Sequence, residues 1–390
     1  MKRIRKKRIK AVCVITAIVL VPSIIMYLTA TSSAFNYITK QATLICAKLT
    51  IWNKDASAPL ALADKEMPVN QIIVDETNAS RMVSQGTLWE LDMAPEEIET
   101  LPDNTEVVVP QEKNPLPYPT SIENKSGVIS QYTFSAYSGA QYINLQGAGQ
   151  VRNCTSVTNS LLISESKKLP DFKIVQGEEP QVLIMHTHTT ESYEPYSRQF
   201  YDSSFNSRTT DNTKNVVAVG NKIEQELKAA GIGVIHDTTL YDYPVWNGSY
   251  TRSGEGVKNI LKKYPSIKVV LDVHRDAIQG TDGVRTAPVA NINGKSAAQV
   301  MIISGCDDGT MNMPNYMKNF RLASLLQSQM EGDYPGLTRP VLFDYRKYNQ
   351  DLTTGSLLLE MGAHGNSVDE ALYSGELVGK SLAKALKKCK

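Results

Sequence analysis

The sequence predicts an α/β domain with a mixed, mostly parallel sheet flanked by helices, preceded by a single N-terminal transmembrane helix and a linker. Three observations carry this. From about Pro170 onward, short apolar runs alternate with amphipathic stretches, the pattern of strands joined by crossover helices. Several of those runs end on a histidine or a carboxylate: Val182-Leu-Ile-Met into His186, Gly233-Val-Ile into His236, Lys268-Val-Val-Leu-Asp-Val into His274, and Ser356-Leu-Leu-Leu into Glu360. Ahead of all this, Ala11 to Ala30 runs for twenty residues without a charge.

Taken in order, the chain opens with a basic tail, residues 1–10, carrying seven Lys or Arg. The uncharged span 11–30 is about 30 Å long as a helix, the thickness of a bilayer core. The basic flank places the N-terminus in the cytoplasm and the rest of the chain across the membrane. A cleaved signal peptide is the competing reading, for which twenty apolar residues are long. Residues 31–129 read as a juxtamembrane and Pro-rich linker, with eight prolines between Pro59 and Pro119, a semi-rigid spacer. Short helices near Thr87–Asp92 and Ala94–Thr100 are the alternative. Weak alternation over Ser130–Leu161 supplies strands, so the folded domain is expected over 130–390.

A helix is expected over Asn215–Ala230, with Val216, Val219, Ile223 and Leu227 on one face, a Glu224/Lys228 pair and Gly231 as the residue after the end. A second spans Glu255–Tyr264 and stops at Pro265. Asn293-Gly294 between Ala287–Ile292 and Ala297–Ile303 signals a hairpin, so part of the sheet is antiparallel. A helix over Asn315–Met330 follows. Ser367 and Glu370 form a capping box for the last helix, which runs to Lys388.

Composition narrows the function. Of 390 residues 42% are apolar and 21% charged, with a net charge of +1, so nothing global points to nucleic acid. The five cysteines (13, 46, 154, 306, 389) are scattered, without a Cys-x-x-Cys pair, which argues against a cysteine zinc site or a disulfide framework. No phosphate-binding Gly-rich loop or dinucleotide fingerprint is present. Ser192 near His188 has no Gly-x-Ser-x-Gly frame, against serine hydrolysis.

If the strands are parallel, their terminal side chains gather on one edge, where α/β proteins bind ligands. Imidazoles and carboxylates gathered there suit zinc. His186, His188 and Glu191 are candidate metal ligands; alternation in an extended segment points 186 and 188 the same way, or one orients the other. The bland reading is a polar loop. His274, in Asp272-Val-His-Arg-Asp276, is a further candidate ligand. Arg275 is either a substrate contact or, with Asp276, a structural pair. Glu360 is the candidate general base, against a structural acid paired with an arginine. His236 is as well explained as a hydrogen-bonded structural residue, and His364 stays open.

Five blocks, in order, carry a resemblance: Val182-Leu-Ile-Met-His-Thr-His-Thr-Thr-Glu-Ser-Tyr193, Ile235-His-Asp237, Asn247-Gly-Ser-Tyr250, Leu271-Asp-Val-His-Arg-Asp-Ala-Ile278 and Leu359-Glu-Met-Gly362. Over about residues 130–390 the chain resembles the stage II sporulation protein P family, membrane-anchored peptidoglycan hydrolases of endospore-forming bacteria. The resemblance implies a zinc N-acetylmuramoyl-L-alanine amidase of the amidase-3 type that also cleaves peptide cross-links. It implies work during forespore engulfment, in the space between the membranes, beside stage II sporulation proteins D and M. By that pattern His188, with His186 as rival, is the first ligand, His274 the last, and Glu360 the catalytic glutamate. The remaining ligand position falls near Asn212, beside Asp211. Asn is a poor zinc ligand, so Glu191 or the second histidine of the pair stands in. The rival class is a non-catalytic, membrane-anchored wall-binding module.

Overall fold

The computed structural model describes residues 115–389. The basic tail, the expected anchor over 11–30, the linker up to residue 114 and the short helices weighed within it lie outside the described residues. Among the described residues no helix is long and apolar enough to cross a membrane.

In chain order the elements are β1 (Gly127–Tyr132), β2 (Tyr142–Asn144), β3 (Gln150–Asn153), α1 (Asn159–Ser166), β4 (Gly177–Met185), β5 (Phe200–Tyr201), α2 (Val216–Ala229), β6 (Ile232–His236), α3 (Ser249–Lys263), β7 (Val269–Asp276), β8 (Arg285–Ile292), β9 (Lys295–Ala298), β10 (Val300–Cys306), α4 (Tyr316–Asp333), β11 (Val341–Tyr345), β12 (Ser356–Ala363) and α5 (Val368–Leu386). Eight strands form one sheet in the order β2-β3-β11-β10-β12-β7-β4-β6, and four form a second in the order β5-β1-β8-β9. In the large sheet β6, β4, β7 and β12 run parallel, as do β10, β11 and β3. The two blocks meet at the antiparallel β10/β12 pair. The fold is mixed, mostly parallel α/β.

Strand alternation decides which residues reach the site. On β7, Val269, Leu271 and Val273 join the main core, as do Leu357, Leu359 and Met361 on β12 and Val182 and Ile184 on β4. That face packs under α2, α4 and α5, whose Ile223, Leu326 and Val378 share the cluster. The opposite face carries Asp272, His274 and Asp276 on β7 and Glu360 on β12. Register sets Glu360 directly beside His274, and neighbours in register project to the same side of a sheet. Leu183, Met185 and Val270 on this second face pack with Val257 of α3 in a separate cluster.

Gly231 and the Ser367/Glu370 box end and start their helices as read, and Asn215, expected to be the first helical residue, is instead a cap. Asn215 accepts from the Val217 N–H at 3.0 Å to start α2, and Gly231 follows its end at φ 76°. Ser367 and Glu370 cap α5 reciprocally. Helices α2 and α5 approach closely because α5 presents glycine: a Cβ on Gly379 would lie 2.7 Å from Glu226 Cβ and 3.1 Å from Ile223 Cα.

Four expectations change. Helix α3 starts at Ser249, not Glu255, because Gly248 turns the chain at φ 77° immediately before it. The Asn293-Gly294 hairpin forms, with both residues at positive φ, but its second run is cut at Gln299. The Gln299 amide bonds both to the N–H and to the carbonyl of Phe134, so β9 ends the small sheet and β10 enters the large one. The end of the stretch expected to supply strands, Ser130–Leu161, runs into a helix, Asn159–Ser166, capped by Thr158. Residues 116–126, expected to be linker, are bonded into the folded body: Thr210 N–H donates to Leu116 O at 3.1 Å and Tyr118 Oη to Tyr193 O at 3.1 Å.

Candidate active site

At the carboxyl ends of β4, β7 and β12 a cleft of about 520 Å³ opens between the large sheet and the small one. Its walls include His188, Glu191, Trp246, Tyr250, His274 and Glu360.

Strand β4 ends at Met185, and residues 187–190 form a turn. Alternation therefore stops before His188, and the two histidines of the pair part company. His186 continues the face of Val182 and Ile184 and turns under α2. Its Nδ1–H donates to Val273 O at 2.8 Å, and its Nε2 lies 2.8 Å from His236 Nε2. With Nδ1 carrying the proton, His236 is the donor in that contact. The Nδ1 of His236 lies 3.2 Å from Glu224 Oε2. Gly220 makes room, since a Cβ there would stand 2.7 Å from His236 Nε2 and 3.0 Å from His186 Cε1.

His188 instead faces the cleft. Its ring stacks on Trp246 with centroids 3.7 Å apart, and Arg208 covers the Trp246 ring at 3.9 Å. Ser249 Oγ lies 3.4 Å from His188 Nδ1, while Nε2 is buried without a hydrogen-bond partner. Burial holds His188 well below the usual imidazole range, so it presents a neutral ring. The His274 ring is 5.1 Å from that of His188, edge to face.

His274 stands between two carboxylates. Its Nδ1 is 3.4 Å from Glu191 Oε2, and its Nε2 2.8 Å from Asp272 Oδ1. The second contact is close but not aligned as a hydrogen bond. Burial opposes charge on His274, yet Asp272 and Glu191 together raise it well above its ordinary value. Asp272 is fixed by Thr187, whose N–H and Oγ1–H donate at 2.8 and 2.7 Å. For Glu191 burial favours the neutral acid, but Arg275 and His274 outweigh it and keep the carboxylate ionised.

Glu360 is 7% exposed, and its Oε2 has no hydrogen-bond partner. Burial, and then the charge of Asp276, push its pKa up to about 8. A carboxyl group with a pKa near neutrality exchanges a proton readily in either direction.

The structure thus brings together His188, Glu191, His274 and Glu360 and sets His186 apart. Arg275 reaches the cleft wall, but its side chain serves the loop that follows β4: Nε donates to Ser192 O at 2.7 Å and Nη2 to Ser207 O at 3.0 Å. Asn212 accepts from Asn215 Nδ2 at 3.1 Å and takes no part in the cleft. His364 lines the cleft with neither ring nitrogen bonded. Sequence reasoning did not single out Trp246, Arg208 or Arg339. Trp246 is one of three tryptophans, and its place in a Pro- and Gly-containing loop ahead of α3 was the available signal.

The donor set can be tested against zinc. One neutral imidazole with an unpartnered nitrogen, one ionised carboxylate and one imidazole already flanked by negative charge are the ligand types zinc takes. Asp272, on the far nitrogen of His274, is placed as the carboxylate that orients a ligating histidine. Among the described residues no three His, Cys, Asp or Glu side chains stand as a closed metal-binding group. The fit to zinc therefore rests on the chemistry of the donors, His188, Glu191 and His274.

Fold and site together define a mixed α/β protein with a histidine- and carboxylate-lined cleft at the carboxyl edge of its sheet. The sequence model of the stage II sporulation protein P family matches residues 70–383, and the chain belongs to that family. Stage II sporulation protein P of Bacillus subtilis (strain 168) is 33% identical over 229 residues, 56% of this chain and 54% of the relative. The match therefore spans about half the length of that curated relative. Among solved structures, N-acetylmuramoyl-L-alanine amidase AmiC2 of Nostoc punctiforme aligns with a TM-score of 0.35 and 10% identity, over 54% of this chain and 97% of that one. The CwlD amidase of Clostridioides difficile, solved in complex with the GerS lipoprotein, aligns with a TM-score of 0.31 and 14% identity, over 53% and 94%.

Proposed function

We propose that this chain is a sporulation peptidoglycan hydrolase that cleaves the amide between N-acetylmuramic acid and L-alanine, and peptide cross-links as a second activity. The observation that carries this reading is Glu360: a buried carboxyl group with a free oxygen, poised near neutrality, beside His188, Glu191 and His274 in one cleft. Membership of the stage II sporulation protein P family supports the substrate.

His188, Glu191 and His274 would hold zinc, leaving His186 as a structural residue paired with His236. When bound, zinc supplies Lewis acidity that polarises the scissile carbonyl and makes water a nucleophile at neutral pH. The protein's own groups do the rest. Glu360 takes the proton from the attacking water and returns it to the leaving amine. Asp272 orients His274. Trp246 and Tyr250 wall the cleft and limit water. Arg275 fixes the loop that carries Glu191. The sequence before residue 115 would anchor the domain in the membrane, on the outer side, in the intermembrane space around the forespore. Stage II sporulation proteins D and M are the partners this family implies.

Mass spectrometry of peptidoglycan digested by the full chain tests the proposal. Freed stem peptides, with the lactyl group intact on the glycan, lost on chelation and restored by zinc, are expected. Peptide–peptide cleavage in the same digest would add the second activity. Sedimentation with peptidoglycan but no products, with or without chelator and partners, would overturn it in favour of a wall-binding module.

A further inference from the structure

The cleft contains a second chemically defined place, at Arg339. This residue precedes β11, and its backbone is fixed on both sides: the N–H donates to Val300 O at 2.8 Å, and the carbonyl accepts from Gln327 Nε2 at 3.0 Å. The side chain lines the cleft and is buried, with the residue 6% exposed. Its Nη1 donates to Asp276 Oδ2 at 2.8 Å. The Phe134 ring lies 5.7 Å from its Cζ. Neither Nε nor Nη2 has a hydrogen-bond partner.

Those two nitrogens are not an arbitrary pair. Nε–H and one Nη–H lie side by side along one edge of the planar guanidinium and form a fork that matches the two oxygens of a carboxylate. Asp276 pins the group through the other terminal nitrogen and leaves this edge unpaired. Buried donors without acceptors are costly and uncommon in native proteins. The same cleft holds Glu360, whose neighbours include the Asp276 that holds Arg339.

We propose that the Nε/Nη2 edge of Arg339 is a subsite for a carboxylate carried by the peptide part of the substrate. Asp276 already matches the single charge of the guanidinium, so the free edge recognises by the geometry of its two donors, and a planar, singly charged carboxylate suits it better than a dianionic phosphate. The subsite positions the peptide relative to Glu360 and makes Arg339 a specificity residue. The inference rests on the proposed function for the identity of the substrate, but its recognition element is separate from the bond-breaking groups.

Two measurements test it. The first is hydrolysis by the wild-type full chain of soluble muramyl peptides with free or amidated peptide carboxylates. Amidation at one carboxylate is expected to raise KM about tenfold or more with kcat little changed. Arg339→Ala should show the same rise on the free substrate and no further rise on the amidated one. Arg339→Lys, which keeps the charge and loses the fork, should recover only part. The second is calorimetric binding of the same peptides to Glu360→Gln, which needs no turnover and no Arg339 variant. Tighter binding of the free carboxylate form, lost on amidation, is expected. Equal KM and equal binding for free and amidated peptides would overturn the subsite, as would an Arg339→Ala enzyme that still distinguishes them. Carboxylate-dependent binding without any hydrolysis by the wild-type chain would keep the subsite and overturn the proposed function.

Discussion

Two pairs of histidines leave the same edge of one sheet and are treated in opposite ways. His186 and His236, at the ends of β4 and β6, face α2 and bond to each other, to Val273 O and beside Glu224. The room for both rings is a glycine, Gly220. His188 and His274 face the cleft, where one keeps a buried nitrogen without a partner and the other stands between two carboxylates. The difference is not residue type or position along the chain, since 186 and 188 are one residue apart. It comes from where the strand stops. A pair whose needs are met by protein groups supports the fold. A pair left short of partners beside negative charge is ready to bind.

The sharpest way to break this comparison is at the cleft side. Glu360→Gln should lower the hydrolysis rate by about 100-fold or more while zinc content and melting temperature stay close to wild type. A fully active variant would remove Glu360 from the chemistry. Asp272→Asn comes next. It takes the charge from behind His274 and should weaken zinc binding by about 10–100-fold, read by chelator competition. On the other side, His186→Ala should destabilise the protein by about 1–3 kcal/mol, since it leaves His236 and Val273 O short of a partner, with zinc content unchanged. Loss of zinc from His186→Ala at intact fold would erase the distinction between the pairs. The mildest test is Gly220→Ala, which pushes a methyl group against both rings at about 1 kcal/mol or more. Denaturant unfolding should show the loss, and hydrolysis at low temperature should not.

How much of this was legible depends on the length over which a pattern acts. The parallel strands with buried faces, β7 and β12, announce themselves as largely apolar runs, broken in β7 by Asp272, that end in His274 and Glu360, and their register brings those two together without further information. Helix α5 is written in its cap, Ser367 and Glu370. The fate of His186 was not legible, because alternation continues only as far as the extended backbone does, and the turn over 187–190 is set by tertiary contacts. Thr190 is held there by Asp242, whose Oδ2 accepts from Thr190 Oγ1 at 2.6 Å across fifty-two residues. Strands β2, β3 and β11 are three to five residues long and add to an edge, where pairing rather than propensity decides. Arg339 had no sequence signal at all. Its importance comes from which of its nitrogens Asp276 takes.

The way the chain enters the domain has a mechanical consequence. Leu116 and Tyr118 are tied to Thr210 and Tyr193, and β1 then pairs in parallel with β8, with Ser130 and Tyr132 in the cleft wall. A load arriving along the chain toward residue 115 meets these bonds first. Through Tyr193, whose hydroxyl donates to Met361 O at 3.0 Å, it reaches β12, the strand that carries Glu360, as well as the wall that β1 supplies.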